Sequence, residues 1–319
     1  MDWFVLLVPA AVLAALMLFR FVGCDFGGPD PIELDDPYHD GILKDSPVVY
    51  YRLQEAPPPD TATDEAQHRD GKYVVAPSPL QSDPAYLSPQ LLNTTVEPGL
   101  GSLLQRESKS KSVRFVGSFV LASASGPPLD DIVPPFSLEA VVLPEWNLNQ
   151  LGLFYCVMEN SMFLAGHGSV PGEKNCGFAI YAGPDDPANA ATSPYCWQLF
   201  VGTGAGFQRC KPLQGGPVPP VKAEPTYLAA TFDATRAFLY AYSADTDINS
   251  VKFELERPPY IQAVQNLFVG IATKALVGPF PSPQGFLYPF VGRMAEVAIY
   301  RSALAEERII SHILSAFNS

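Results

Sequence analysis

The chain has 319 residues, and 20 Lys and Arg against 33 Asp and Glu leave it a formal charge of −13. So acidic a balance argues against a phosphate-tracking surface, which needs basic residues to neutralise phosphates, and nucleic acid is not an expected partner. Hydrophobic residues at 47% and aromatics at 12% supply a full core and exclude global disorder, whereas 33 Pro and 24 Gly interrupt the chain too often for a bundle of long helices. The composition predicts an all-β fold with many turns.

The first segment is apolar. Trp3 to Phe19 carries no charge, and with Arg20, Phe21 and Val22 it reaches about 20 residues, enough for about 30 Å of helix. This predicts a transmembrane anchor over 1–23, with Trp3, Phe4 and Phe21 near the interfaces, Pro9 tolerated within the bilayer and Arg20 snorkelling to the headgroups. Two alternatives involve processing. A cleaved signal peptide would want a basic leading region, which is missing; a lipoprotein would use the lipobox-like Phe21-Val22-Gly23-Cys24, making Cys24 a lipidation candidate.

Residues 24–40 hold Asp25, Asp30, Glu33, Asp35, Asp36 and Asp40 among Gly and Pro, the pattern of an extended acidic tether. Clustered carboxylates suit calcium, but these do not keep the ligand spacing of an EF-hand loop. No cofactor is expected, and calcium is the one metal the composition brings into view.

From residue 41 to 319 short apolar segments alternate with turn residues. Val113 to Leu121 places Val113, Phe115, Phe119 and Leu121 on one face, and Phe136 to Leu143 places Phe136, Leu138, Ala140 and Val142 on one face, the period of half-buried strands. Val48–Leu53, Leu153–Val157, Gly177–Tyr181, Trp197–Val201, Tyr227–Phe232, Ala237–Tyr242, Leu267–Ile271 and Met294–Tyr300 are further strand candidates. Asp233-Ala-Thr-Arg236 is short enough to close a hairpin. Strands this short without alternating helices predict an antiparallel two-sheet sandwich or jelly roll. Ile309, Ile310, Ile313, Leu314 and Phe317 recur at helical spacing and predict a terminal helix packed on it.

The order of these segments resembles the bacterial laminin-G-like, concanavalin A-like jelly rolls. Ile42 to Leu53 is similar to that family's opening strand, Asp64 to Tyr73 to its loop into the second strand, and Val113 to Val120 to its Arg-Phe-x-Gly strand. Phe136-Ser-Leu-Glu-Ala140 with Pro144, Tyr227 to Asp233, Leu239-Tyr240 and Leu267 to Gly270 follow in family order, and Gly292 to Leu304 is the most specific match. The resemblance implies the sandwich; for function it implies little, because such sandwiches host lectins, adhesion modules, enzymes and structural domains. Tyr51, Val141 and Pro225 stand where the family usually has Trp, Ala295 where it usually has an acid before Glu296, and Gly117-Ser-Phe119 lacks the usual Asp. These departures weaken sugar stacking and calcium binding. The proline-rich stretches 76–110 and 277–289 look longer than the family's connections, which makes them expected partner surfaces.

Cys156, Cys176, Cys196 and Cys210 form an even set behind a membrane segment, which predicts two disulfides in an oxidising compartment. Four cysteines allow three pairings. Cys196 and Cys210 flank an apolar run and the Gly-rich turn Gly202–Gly206, so that pair is the first choice and leaves Cys156 with Cys176. Without a Cys-x-x-Cys the four make a poor metal site. His39, His68, His167 and His312 are scattered without metal spacing and are assigned no role.

Glu139 and Glu296 each stand alone among apolar neighbours, and no Glu-x-Asp-x-x-Glu strand, nucleophile elbow, His-Glu-x-x-His helix or phosphate loop occurs. On these grounds the expectation is a non-catalytic membrane-anchored sandwich on the periplasmic or extracellular side, acting as a docking subunit of a larger membrane complex. The alternative is a carbohydrate-binding or adhesion module on the same anchor, with a glycoside hydrolase the less favoured third reading. Expected partners are accordingly the bilayer, other complex subunits and carbohydrate.

Overall fold

Short β-branched and aromatic runs broken by Pro and Gly leave the backbone one economical solution, which is to pair the runs laterally and bury one face of each sheet against another. The computed structural model describes residues 36–56, 60–75, 95–107, 109–124, 129, 132–146, 154–162, 176–189, 192–204, 207–262, 267–270, 272–273, 286–287 and 289–317. The chain divides into Met1–Pro37 and Tyr38–Ser319, and the second unit is an antiparallel β-sandwich.

One sheet has nine strands. Its path runs Lys211–Pro212, Lys252–Glu256, Arg236–Tyr242, Thr226–Phe232, Phe136–Pro144, Val291–Tyr300, Ser112–Val116 and Thr95–Leu100, with Val49–Tyr51 also pairing on Val291–Tyr300. The other sheet has eight, in the order Phe207–Arg209, Tyr195–Gly202, Cys176–Pro184, Tyr155–Met162, Phe268–Val269, Ser118–Leu121, Gly71–Val75 and Thr61–Ala62. A small third ladder joins Ala272–Thr273 to Phe286–Leu287.

The core between the sheets is built by alternation. Phe136, Leu138, Ala140 and Val142 point inward, as expected, and meet Phe178, Ile180 and Ala182 of the opposite sheet. Phe136 stacks on Phe232 at 4.3 Å between ring centroids and lies 5.2 Å from Phe178. The Asp233–Arg236 hairpin forms, its turn closed by the Asp233 carboxylate accepting from the amides of Thr235 (2.7 Å) and Arg236 (2.6 Å).

The alternation expected across Val113 to Leu121 does not hold throughout. Val113 to Leu121, read as a single strand, is broken at Gly117, whose φ of 66° lets the chain leave one sheet and enter the other. Val113 and Phe115 remain in the core, but beyond the break the phase shifts by one residue: Val120 turns inward, while Phe119 and Leu121 lie on the outer face.

Helix α1 (Pro37–Lys44) and helix α2 (Glu306–Phe317) cover the outer face of the nine-stranded sheet. Residues 37–40, counted with the tether from sequence, already belong to α1. Ile309, Ile313, Ala316 and Phe317 form the buried stripe of α2 and pack with Tyr38 and Ile42 of α1 against Tyr227, Tyr240, Ala295 and Tyr300. Leu103 and Leu104 join this layer, and the amides of Gln105 and Arg106 donate to the Ala316 carbonyl. The stretch 76–110, expected to be a loop, therefore includes the edge strand Thr95–Leu100 and a segment docked under α2; residues 76–94 lie outside the described residues.

The expected disulfides do not form. The hairpin between Cys196 and Cys210 exists, but Phe200 pairs with Arg209 and the Cys210 amide donates to Leu199, so Cys196 lies farther along the ladder. It also faces outward, toward Gln198 and Arg209, while Cys210 sits in the core, and no bridge spans the two faces of a sheet. Cys156 pairs with Tyr181 and Cys176 with Met162, several residues apart along one ladder. Burial pushes the Cys196 thiol up to about 11, the Cys210 thiol up to about 12 and the Cys156 thiol well above its ordinary value. Alkylation without reductant should leave Cys156, Cys196 and Cys210 unlabelled in the folded protein and label all three in denaturant; labelling that requires reduction would contradict this. Free thiols at all four positions remove the disulfide ground for an oxidising compartment.

Candidate functional site

The predicted anchor residues Trp3, Phe4, Pro9, Arg20 and Phe21, and Cys24, lie outside the described residues. Among the described residues no helix is long and apolar enough to cross a membrane, and no group of three His, Cys, Asp or Glu side chains could hold a metal ion. Three of the positions where the resembled jelly rolls carry Trp or an acid have physical explanations. Tyr51 fills the core and its hydroxyl donates to the Arg69 carbonyl (2.7 Å) while accepting from the Ser123 amide (2.9 Å). Val141 and Ala295 lie under the helices, where a carboxylate at position 295 would be buried against apolar side chains.

Glu139 and Glu296 are both fully buried on this helix-covered face. Glu139 accepts from the hydroxyls of Tyr227 and Tyr300 and lies 3.2 Å from Nδ1 of His312. Glu296 is the extra residue of a β-bulge, where Ala295 pairs with Val141 and Ala298 with Glu139, and its φ of 57° is left-handed. Its carboxylate accepts from the Tyr50 hydroxyl, Gln54 Nε2 (3.2 Å) and Ser110 Oγ (3.3 Å), which hold the bulge in place. Neither carboxylate reaches solvent, so neither meets a substrate in this conformation.

The accessible polar site lies on the same sheet, from its edge strand Thr95–Leu100 across to the end of Phe136–Pro144. Glu97 on the edge strand pairs with Arg114, Arg114 pairs with Arg293, and Arg293 pairs with Leu143, so one row crosses four strands. Val113 and Phe115 flank Arg114 and point into the core, so alternation sends Arg114 outward. Glu145 follows the Phe136–Pro144 strand and is fixed by its amide donating to the Val291 carbonyl at 3.0 Å. Its carboxylate bridges the two guanidinium groups, 2.6 Å from Arg114 Nε and 3.2 Å from Arg293 Nε. Arg114 also meets Glu97 at 3.3 Å.

These residues and Leu100 line an open depression of about 490 Å³. Burial alone would lower the Arg114 pKa, but Glu145 and Glu97 outweigh it and raise it, so the guanidinium stays charged. Ion pairs this exposed contribute about 0–1 kcal/mol each, so the row adds little to the fold. Chemically it offers two planar donor forks and two acceptor forks beside Leu100.

A second surface is apolar. On the outer face of the eight-stranded sheet Phe154, Phe200 and Phe268 are half-buried, with Tyr181 edge-on between Phe154 (6.1 Å) and Phe200 (5.6 Å). Glu159 lies buried beside them and accepts from the Tyr181 hydroxyl at 3.3 Å.

The fold and these surfaces define an antiparallel two-sheet β-sandwich with a short C-terminal helix. No protein-family model matches the chain, and no curated protein matches it. Solved structures do resemble it. Domain 4 of AbnA, a GH43 extracellular arabinanase from Geobacillus stearothermophilus, in complex with arabinotriose, has a TM-score of 0.37 and 15% identity over 69% of this chain and 87% of that one. Trypanosoma rangeli sialidase in complex with sialic acid has a TM-score of 0.43 and 13% identity over 85% of this chain, which spans 33% of the sialidase. The binding domain of botulinum neurotoxin DC in complex with SialylT has a TM-score of 0.45 and 10% identity over 86% of this chain and 51% of that one.

Likeness at this level carries no argument about a particular ligand. The expectation of a non-catalytic chain does not stand: two of these three structures come from an arabinanase and a sialidase, and nothing in the described residues positively marks this chain as a non-enzyme.

Proposed function

We propose that the chain is a carbohydrate-binding β-sandwich whose ligand sits in the depression formed by Glu97, Leu100, Arg114, Glu145 and Arg293. The observation that carries this reading is the cross-strand row of two guanidinium and two carboxylate forks around a 490 Å³ depression. Neighbouring ring hydroxyls of a sugar both donate and accept, and a guanidinium or a carboxylate meets two of them at once. The volume falls within the range of small-molecule sites. The half-buried Phe154, Phe200 and Phe268 supply an apolar surface of the kind sugar C–H faces stack on, and they compete with the depression as the place of contact. The docking-subunit reading rests on the apolar segment 1–23 and on the loops outside the described residues, and it is the weaker of the two. Display on the periplasmic or extracellular side belongs to this proposal, as the side where polysaccharides are met.

A glycan array with the full chain in detergent tests the reading. Saturable binding is expected for the protein as it stands, with a loss of about tenfold or more in Arg114→Ala/Arg293→Ala, on the scale of one or two charge-assisted hydrogen bonds. The melting temperature of that variant should change little. Binding that survives this variant and disappears in Phe200→Ala/Phe268→Ala would move the site to the eight-stranded sheet. Following the release of reducing ends from each bound sugar tests for turnover.

A further inference from the structure

His312, to which the sequence alone gives no role, stands between two carboxylates in a buried cluster. Its ring is 1% exposed. Nδ1 lies 3.2 Å from Glu139 Oε2 on the sheet, and Nε2 lies 3.1 Å from Asp45 Oδ2, in the segment that follows α1. Asp45 is held in turn by Arg308 of α2, whose Nε is 3.0 Å from Oδ2. One imidazole on α2 thus bridges a carboxylate of the sheet to a carboxylate at the end of α1.

Nδ1 is placed to donate to Glu139, and Nε2 stands at ion-pair distance from Asp45 without hydrogen-bond alignment, so a ring protonated at both nitrogens carries its positive charge between two carboxylates. A neutral ring can keep its Nδ1 proton toward Glu139, but it gives up the positive charge that faces both carboxylates and leaves Asp45 to Arg308 alone.

We propose that His312 is a proton-dependent clasp that holds α1 and α2 together on the outer face of the nine-stranded sheet, and that losing its proton loosens both helices. The groups around the ring are Tyr38 and Asp45 from α1 and the residue after it, Glu139, Tyr227 and Tyr300 from the sheet, and Arg308 from α2 itself. Of these Arg308 alone opposes protonation. Burial by itself lowers the His312 pKa, but Glu139 and Asp45 outweigh it and the value is raised. The direction follows from linkage. Below the unfolded value of about 6.5 both states hold the proton and the clasp contributes fully; as pH rises the unfolded chain releases it first, and the contribution is lost as pH passes the raised folded value.

The test uses the full chain and two variants, His312→Gln and Asp45→Asn, with melting temperature, the NMR titration of the His312 ring and amide exchange in 306–317 followed from about pH 6 to about pH 9, a range that brackets the ordinary His pKa. The melting-temperature difference between the protein as it stands and His312→Gln should be largest at about pH 6 and shrink as pH rises, with exchange in α2 accelerating before that in Thr226–Phe232. The subtraction removes other alkaline titrations. If His312→Gln does not fold, Asp45→Asn reads the same point through a lower midpoint for the His312 ring. A ring that titrates below the ordinary imidazole value, or parallel pH profiles for the protein and His312→Gln, would overturn the clasp.

Discussion

Replacing Gly292 by Ala should be among the most damaging single changes in the molecule. Gly292 has a φ of 150°, and a Cβ placed on it would lie 2.2 Å from the Leu143 carbonyl oxygen and 3.0 Å from the Glu145 amide. Both are backbone atoms of the neighbouring strand, so no side-chain rotation relieves the clash. The residue also sits in the ladder, paired with Phe115 on one side and Pro144 on the other, so shifting it disturbs two strands together. Strain at a glycine-only conformation added to a backbone clash predicts a loss of about 3–4 kcal/mol. For a domain of this size that is a fall of about 10 °C in melting temperature, measurable by calorimetry or circular dichroism. A shift within the error of a surface substitution would show that the ladder bends there at little cost.

Glu139→Ala should be comparably severe for an electrostatic reason. The carboxylate is fully buried and accepts from two tyrosine hydroxyls while facing the His312 ring. Its removal strands Tyr227, Tyr300 and His312 in a volume with no solvent, and breaking a buried ionic cluster at one partner costs about 3–5 kcal/mol. Glu139→Gln keeps an acceptor for one hydroxyl and should lose less. Denaturant midpoints of the two variants check this order; equal midpoints would mean that the hydroxyls find other partners. Burial and the Glu139 carboxylate both push Tyr227 and Tyr300 well above the ordinary phenol pKa, so they remain donors throughout the usable pH range.

How much of this was legible in the sequence depended on range. Strands were legible where short apolar runs stand between turn residues, as at Phe136–Pro144, Thr226–Phe232 and Arg236–Tyr242, and α2 lies where helical spacing places it. What periodicity misses is a local change of phase. Gly117 shifts the inward residues by one, and only a left-handed backbone at that glycine explains why Val120 replaces Phe119 in the core. Lys252–Glu256, which lies between the two-residue strand Lys211–Pro212 and Arg236–Tyr242, has Leu255 as its one fully buried side chain and carries little apolar pattern.

The sites were less legible than the fold. Arg114, Glu145 and Arg293 come from three separate strand segments, and nothing near any one of them marks a site until register brings them together. His312 and Glu139 are 173 positions apart. The cysteine expectation failed for the same reason, since spacing along the chain says nothing about which face of a strand a thiol occupies.

The central claim is that sugar is held on the row of forked side chains. Titrating the isotopically labelled full chain with the tightest-binding glycan, while following backbone amides and Arg Nε–H signals, addresses it most directly. The account predicts saturable shifts concentrated at Glu97, Leu100, Arg114, Glu145 and Arg293, with both guanidinium signals moving together. Shifts confined to Phe154, Phe200 and Phe268, or no saturable shift with any glycan, would contradict it.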